Sequence, residues 1–169
     1  MRNPPIPPRG VSLIELLVAV AIIAALYGAI VVAVDAVGGA RSLEREGQRF
    51  AGLVELACER AEITGRDHGI HVSRDRYGFS TATLDGWRLE TAGDLRPREL
   101  PSGFVLAFER EGTEAELEEE NTDAPQAACF ASGELTPFVA TISTAELAPY
   151  EIEGAIDGAV ETRVREAGP

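Results

Sequence analysis

The residues with types and spacing suited to chemistry are few in this 169-residue chain. Glu15 stands among apolar residues near the start of a long apolar run. An ionised carboxylate in hydrocarbon costs on the order of 2.5–3.5 kcal/mol even on lenient insertion scales, so its default reading is functional, with a partner to be found. The bland alternative is a carboxyl near an interface, neutral or snorkelling. Cys58 and Cys129 are too few for a disulfide framework. They leave two readings open, one bridge in an oxidising compartment or two small buried apolar residues. His68 and His71, three apart on a strand, would point to opposite faces with no third ligand nearby, so no metal site is expected there. An acidic stretch over 109–123 carries Glu114, Glu116, Glu118, Glu119, Glu120 and Asp123. Carboxylate oxygens suit calcium, but no Asp-x-Asp-x-Asp-Gly loop is present and consecutive glutamates diverge, which favours a solvated, mobile loop. With no Gly-x-Ser-x-Gly elbow and no phosphate-binding loop, no catalytic residue and no cofactor are expected.

Charge narrows the partners. The net charge is −13, and every basic residue is Arg. A phosphate backbone is repelled by that balance, and the Arg163–Arg165 pair near the C-terminus is a small patch on which to bind it. Nucleic acid is therefore not the expected main partner.

The elements that must position these residues follow from hydropathy. Residues 16–34 form a run with no charged side chain, long enough for a helix to span a ~30 Å hydrocarbon core. A secretory signal would be shorter and would end in a small-residue cleavage site. The run's length and Glu15 oppose that reading. Arg2 and Arg9 precede the run and no base follows until Arg41, so the positive-inside bias places the N-terminus in the cytoplasm. Beyond the run, Leu43, Gly47, Phe50, Val54, Ala57, Cys58 and Ala61 recur at steps of three and four. Charges from Arg41 through Glu46 to Glu62 mostly fill the other face. Gly65 reads as the stop. One helix from about Val11 to Thr64 is expected.

From His68 the period becomes two. Ile70 and Val72 alternate with His71 and Ser73, Arg74-Asp75-Arg76 makes a turn, and Tyr77 and Phe79 share the next face. Trp87 and Leu89 follow an Asp85-Gly86 turn, and Phe104, Leu106 and Phe108 alternate. Further strands are expected over 127–131, 138–143, 150–156 and 159–165, the last two joined at Asp157-Gly158. Many short strands with turn signals imply an antiparallel sandwich.

The stretch Arg9-Gly10-Val11-Ser12-Leu13-Ile14-Glu15-Leu16-Leu17-Val18 resembles the N-terminus of type IV pilins and pseudopilins, except that Val11 stands where most members have Phe. Phe50-Ala51-Gly52-Leu53-Val54 through Thr64, then Gly69-Ile70-His71-Val72, Tyr77-Gly78-Phe79 and the Phe130 to Phe138 segment, are similar to the GspH/FimT group, a resemblance that implies a minor pseudopilin of the type II secretion system. The resemblance implies an α+β fold: a long N-terminal helix packed on a C-terminal antiparallel β-sandwich head. It implies a leader over 1–10, a transmembrane half over 11–34, an amphipathic half over 35–65 and a periplasmic head over 66–169. A prepilin peptidase would cut after Gly10 and methylate the amine of Val11, and Glu15 of one subunit would neutralise that amine on its neighbour. The implied partners are other pseudopilins, major and minor, the peptidase, the inner membrane and secreted cargo. The implied task is assembly at or near the pseudopilus tip in support of secretion across the outer membrane. The rival readings are a FimT-like minor type IV pilin acting in pilus assembly or DNA uptake, against which the charge argues, and a membrane-tethered enzyme or solute-binding module, for which no motif speaks.

Overall fold

The computed structural model describes residues 13–115, 117 and 124–165, apart from the side chains of 25–37. Gly10 and Val11 lie outside them, as do 116 and 118–123 of the acidic stretch. The chain divides into two compact units between Gly39 and Ala40, and a single helix, α1 (Leu13–Thr64), runs through the division.

In the second unit, α1 ends where sequence places the stop. Gly65 adopts φ +65° and its N–H donates to the Ala61 carbonyl at 2.9 Å, the single-bond form of a left-handed cap. The chain then builds two antiparallel sheets. The first contains β1 (His68–Val72), β2 (Arg76–Thr83), β3 (Gly86–Leu89), β4 (Arg98–Glu99) and β7 (Ala127–Cys129), in the order β3-β2-β1-β7 with β4 also on β2. The second contains β5 (Val105–Arg110), β6 (Thr113–Glu114), β8 (Phe138–Ser143), β9 (Tyr150–Gly154) and β10 (Val160–Val164), in the order β10-β9-β8-β5-β6.

One core serves the helix and both sheets. Leu43, Phe50, Val54, Ala57 and Ala61 of α1 meet Ile70, Val72, Tyr77 and Phe79 of the first sheet and Leu106, Phe108, Phe138, Ala140, Ile142 and Ile152 of the second. Phe50 joins the three, with its ring 4.9 Å from Tyr77 and 6.3 Å from Phe138, both edge-on. The helix lies close to the sheet at Gly47, where a Cβ would overlap the Tyr150 ring.

Three expectations are corrected. Glu46, assigned to the charged face of the helix, is buried. It lies three residues after Leu43 and four before Phe50, within the width of the apolar stripe. In β1 the polar side of the alternation is covered as well, because Pro125 packs over Gly69 and Pro97 over Gly78. His71 and Ser73 are consequently buried, and His71 Nε2 lies 2.8 Å from Ser80 Oγ. The start of the acidic stretch is not loop. Glu109 and Arg110 complete β5, Glu111 and Gly112 turn with positive φ, and β6 pairs back on β5. Ala115 and Leu117 then pack partly against the core.

Candidate assembly site

Glu15 lies in the first turn of α1. A carboxylate there is favoured by the partial positive charge of the helix N-terminus. Around it Leu13, Ile14, Leu16, Leu17, Val18, Val20, Ile22 and Ile23 are all more than half exposed. Apolar side chains therefore surround this stretch of the helix, and they stay exposed among the described residues. The exposed Glu15 carboxylate is the sole charge in this stretch of the described helix. Across the described residues, no helix is long and apolar enough to cross a membrane. The run over 16–34 extends into 25–37, whose side chains lie outside the described ones.

In the head, polar side chains fasten the helix to the sheets. Tyr77 Oη donates to Glu46 Oε1 at 2.9 Å, and Arg49 reaches Glu46 Oε2 at 3.0 Å. Burial, followed by the Glu46 charge, pushes the Tyr77 phenol well above its ordinary pKa, so its proton stays in the hydrogen bond. Cys58 of α1 and Cys129 of β7 are joined by a disulfide, with Cα atoms 4.8 Å apart. His68 and His71 are placed on opposite sides of β1, beside Thr81 and Ser80 respectively. Among the described residues no cluster of His, Cys, Asp and Glu is arranged to hold a metal ion.

The Arg163–Arg165 pair is engaged within the head. Arg163 Nε lies 2.8 Å from the buried Glu151 carboxylate and its NH1 lies 3.0 Å from Glu153, while Arg165 reaches Glu151 at 3.2 Å. The cross-strand register Arg163↔Glu151 places the charges opposite each other. Two basic side chains that sequence leaves as a patch are thus neutralised by their own sheet. The Glu46–Tyr77 link and this network are the features that sequence reasoning did not find. The spacing of Glu46 within the helix stripe was the one available signal.

Comparison with known proteins agrees with this geometry. Residues 8–33 match the prokaryotic N-terminal methylation motif. Type II secretion system protein H of Pseudomonas aeruginosa is 34% identical over 139 residues, covering 77% of this chain and 80% of that protein. The protein of the same name from Aeromonas hydrophila is 28% identical over 146 residues, covering 79% of this chain and 80% of that protein. The crystal structure of the minor pseudopilin EpsH from the type II secretion system of Vibrio cholerae superimposes with TM-score 0.64 at 24% identity, covering 76% of this chain and 98% of that one. The solution structure of E. coli GspH gives 0.58 at 21%, covering 76% and 93%. At those identities the two structures speak for the fold.

Proposed function

The chain belongs to the type II secretion system protein H family, and on that premise we propose that it assembles at or near the tip of the secretion pseudopilus and supports protein export across the outer membrane. It is anchored in the inner membrane by the first part of α1 as a single pass, with the N-terminus in the cytoplasm and the head in the periplasm. Other pseudopilins and the prepilin peptidase are its partners. No catalytic role is assigned to it.

The observation that carries this reading is Glu15 in the first turn of α1, among apolar side chains from Leu13 to Ile23 that stay exposed among the described residues. A helix of that kind is completed by hydrocarbon or by other helices. Cleavage after Gly10 frees a positive amine on Val11, four residues before Glu15 in the sequence. In an apolar setting a charge of either sign is stabilised by an opposite one close by. An incoming subunit that brings its Glu15 to a neighbour's amine satisfies both charges, and only at one axial offset, so the pair sets register. The Cys58–Cys129 bridge suits an oxidising compartment such as the periplasm.

A strain lacking the gene, complemented with wild type or Glu15→Ala, tests both levels. Secreted enzymes trapped in the periplasm of the deletion strain, with normal surface pili and DNA uptake, are the expected result. Glu15→Ala is expected to fail to restore secretion while the head still forms its disulfide. Normal secretion with lost pili or transformation would overturn the assignment. Full rescue by Glu15→Ala would overturn the charge pairing alone.

A further inference from the structure

Where α1 ends, three turns converge at one end of the head. The Ala82 N–H donates to the Asp67 carbonyl and the Ala131 N–H to the Asp67 carboxylate, each at 2.9 Å. These bonds tie the β2–β3 turn and the 130–134 turn to the connection after α1. A Cβ on Gly133 would lie 3.4 Å from the Glu62 carboxylate, and one on Gly158 would lie 3.1 Å from the Gly133 carbonyl oxygen. The β9–β10 turn therefore sits at the same end. Each segment presents a large apolar side chain to solvent: Ile63 is 74% exposed, Leu84 106%, Phe130 37% and Ile156 63%. Each also carries an exposed acid, namely Glu62, Asp85, Glu134 and Asp157. The bases that accompany them are Arg66 after α1, Arg88 on β3 and Arg60 near the end of α1, the last paired with Asp94 at 3.1 Å. None of the four apolar side chains belongs to the core, so head stability does not account for them. Exposed apolar groups with a polar rim mark interaction sites.

We propose that this end of the head docks a different pilin-like chain whose contact face carries an apolar knob rimmed by Arg or Lys. The inference rests on the reading of this protein as a filament subunit. Charge selects the occupant. A second copy presenting the same end would set acid against acid in a chain already at −13. The anionic surface of a membrane would be repelled in the same way. A basic rim is attracted, and attraction between rim charges speeds encounter and weakens as salt rises.

The test uses the full-length protein in its own bacterium, with a photoreactive benzoylphenylalanine in place of Leu84 or Ile156, and in place of Glu44 or Ala145 for comparison. Adducts are identified by mass spectrometry. Leu84 and Ile156 are expected to give an adduct with a second pilin-like chain of basic contact surface. In membrane vesicles its yield should fall as salt is raised. It should drop at least ~tenfold when Ile63→Asp and Phe130→Asp are combined, the scale of losing anchor residues. Both substitutions are at exposed sites, and an intact Cys58–Cys129 bridge on a non-reducing gel shows that the head still folds. Adducts to pilin-like chains from Glu44 or Ala145 alone would overturn this surface and leave the filament reading standing. Adducts from Leu84 and Ile156 only to copies of this chain or to lipid would overturn it as well. No pilin-like adduct from any position would overturn both.

Discussion

Along α1, similar side chains meet opposite surroundings. Leu13, Leu16, Val18 and Ile22 are more than half exposed, whereas Leu43, Phe50 and Val54 are buried. The kind of apolar residue does not separate the two stretches, because Leu and Val occur in both. Patterning does. Between 43 and 61 the apolar positions recur every three or four residues with charges between them, giving one stripe that the sheets of the same chain can cover. Between 13 and 23 they ring the helix, so covering one face would leave the others bare. On the proposed reading the first stretch draws its stability from hydrocarbon and neighbouring helices, whereas the second packs on its own head.

The sharpest way to break that contrast is a pair of truncations. Phe50→Ala removes the ring that touches both Tyr77 and Phe138. It is expected to cost about 3–5 kcal/mol, as large core truncations do. Urea denaturation of the detergent-solubilised full chain, followed by head fluorescence, reads the loss as a lower midpoint. Leu17→Ala, at a position 60% exposed, should leave that midpoint unmoved. Equal losses at both sites would mean that the head and the first stretch stabilise each other.

Next in size is the bridge. Cys58 and Cys129 lie 71 residues apart in sequence, and opening a loop of that length costs about 4 kcal/mol by chain entropy. The Cys58→Ala/Cys129→Ala variant is expected to unfold at a correspondingly lower urea concentration, and reductant should lower the wild type to match. A bridge that contributes nothing measurable would leave apolar packing alone to fasten α1 to β7.

The helix stripe, its stop at Gly65 and the long strands were legible in sequence because each follows a local period or a turn residue that acts over a few positions. Phe138–Ser143 alternates cleanly, and Asp157-Gly158 turns the chain as such a dipeptide should. The short β4 was not legible, because Arg98–Glu99 has no pattern of its own and exists through pairing with Arg76 and Tyr77. β6 was hidden by composition, since Thr113–Glu114 opens an acidic run whose charge suggests solvent. Coverage from a distance was equally hidden: nothing near His71 in sequence announces Pro97 or Pro125. At the candidate assembly site, Glu15 stood out by itself, a charge where hydrocarbon is expected. Glu46 did not, because it sits among charged neighbours, and its partner Tyr77 lies 31 residues further along the chain.

That difference between two glutamates of one helix gives a smaller test. Tyr77→Phe removes the hydroxyl that donates to Glu46 and leaves a buried carboxylate oxygen short of a partner. The expected cost is about 1–3 kcal/mol of head stability. Glu15→Gln should leave the same midpoint unchanged, because Glu15 makes no contribution to the head core. A Tyr77→Phe variant as stable as wild type would show that Arg49 alone satisfies Glu46.

The smallest expected effect concerns protons, and it too distinguishes the stretches, since 13–23 contain no histidine. Burial beneath the end of α1 lowers the His68 pKa from its ordinary 6.5, Arg60 lowers it further, and Glu90 and Asp67 oppose the shift. The Thr81 hydroxyl donates to Glu90 at 2.6 Å, so towards His68 Nδ1, 3.4 Å away, it can only accept. The folded head thus favours neutral His68, and the unfolded chain takes up the proton at higher pH. The contribution is fully present above 6.5 and is lost as pH falls from there through the folded value. His68→Gln should flatten that part of the decline in urea midpoint between about pH 7.5 and about pH 5, with little change at the upper end. An unchanged slope would mean that the imidazole gains its proton in the folded head as readily as in the unfolded chain. Glu90 and Asp67 would then balance burial and Arg60 at that site.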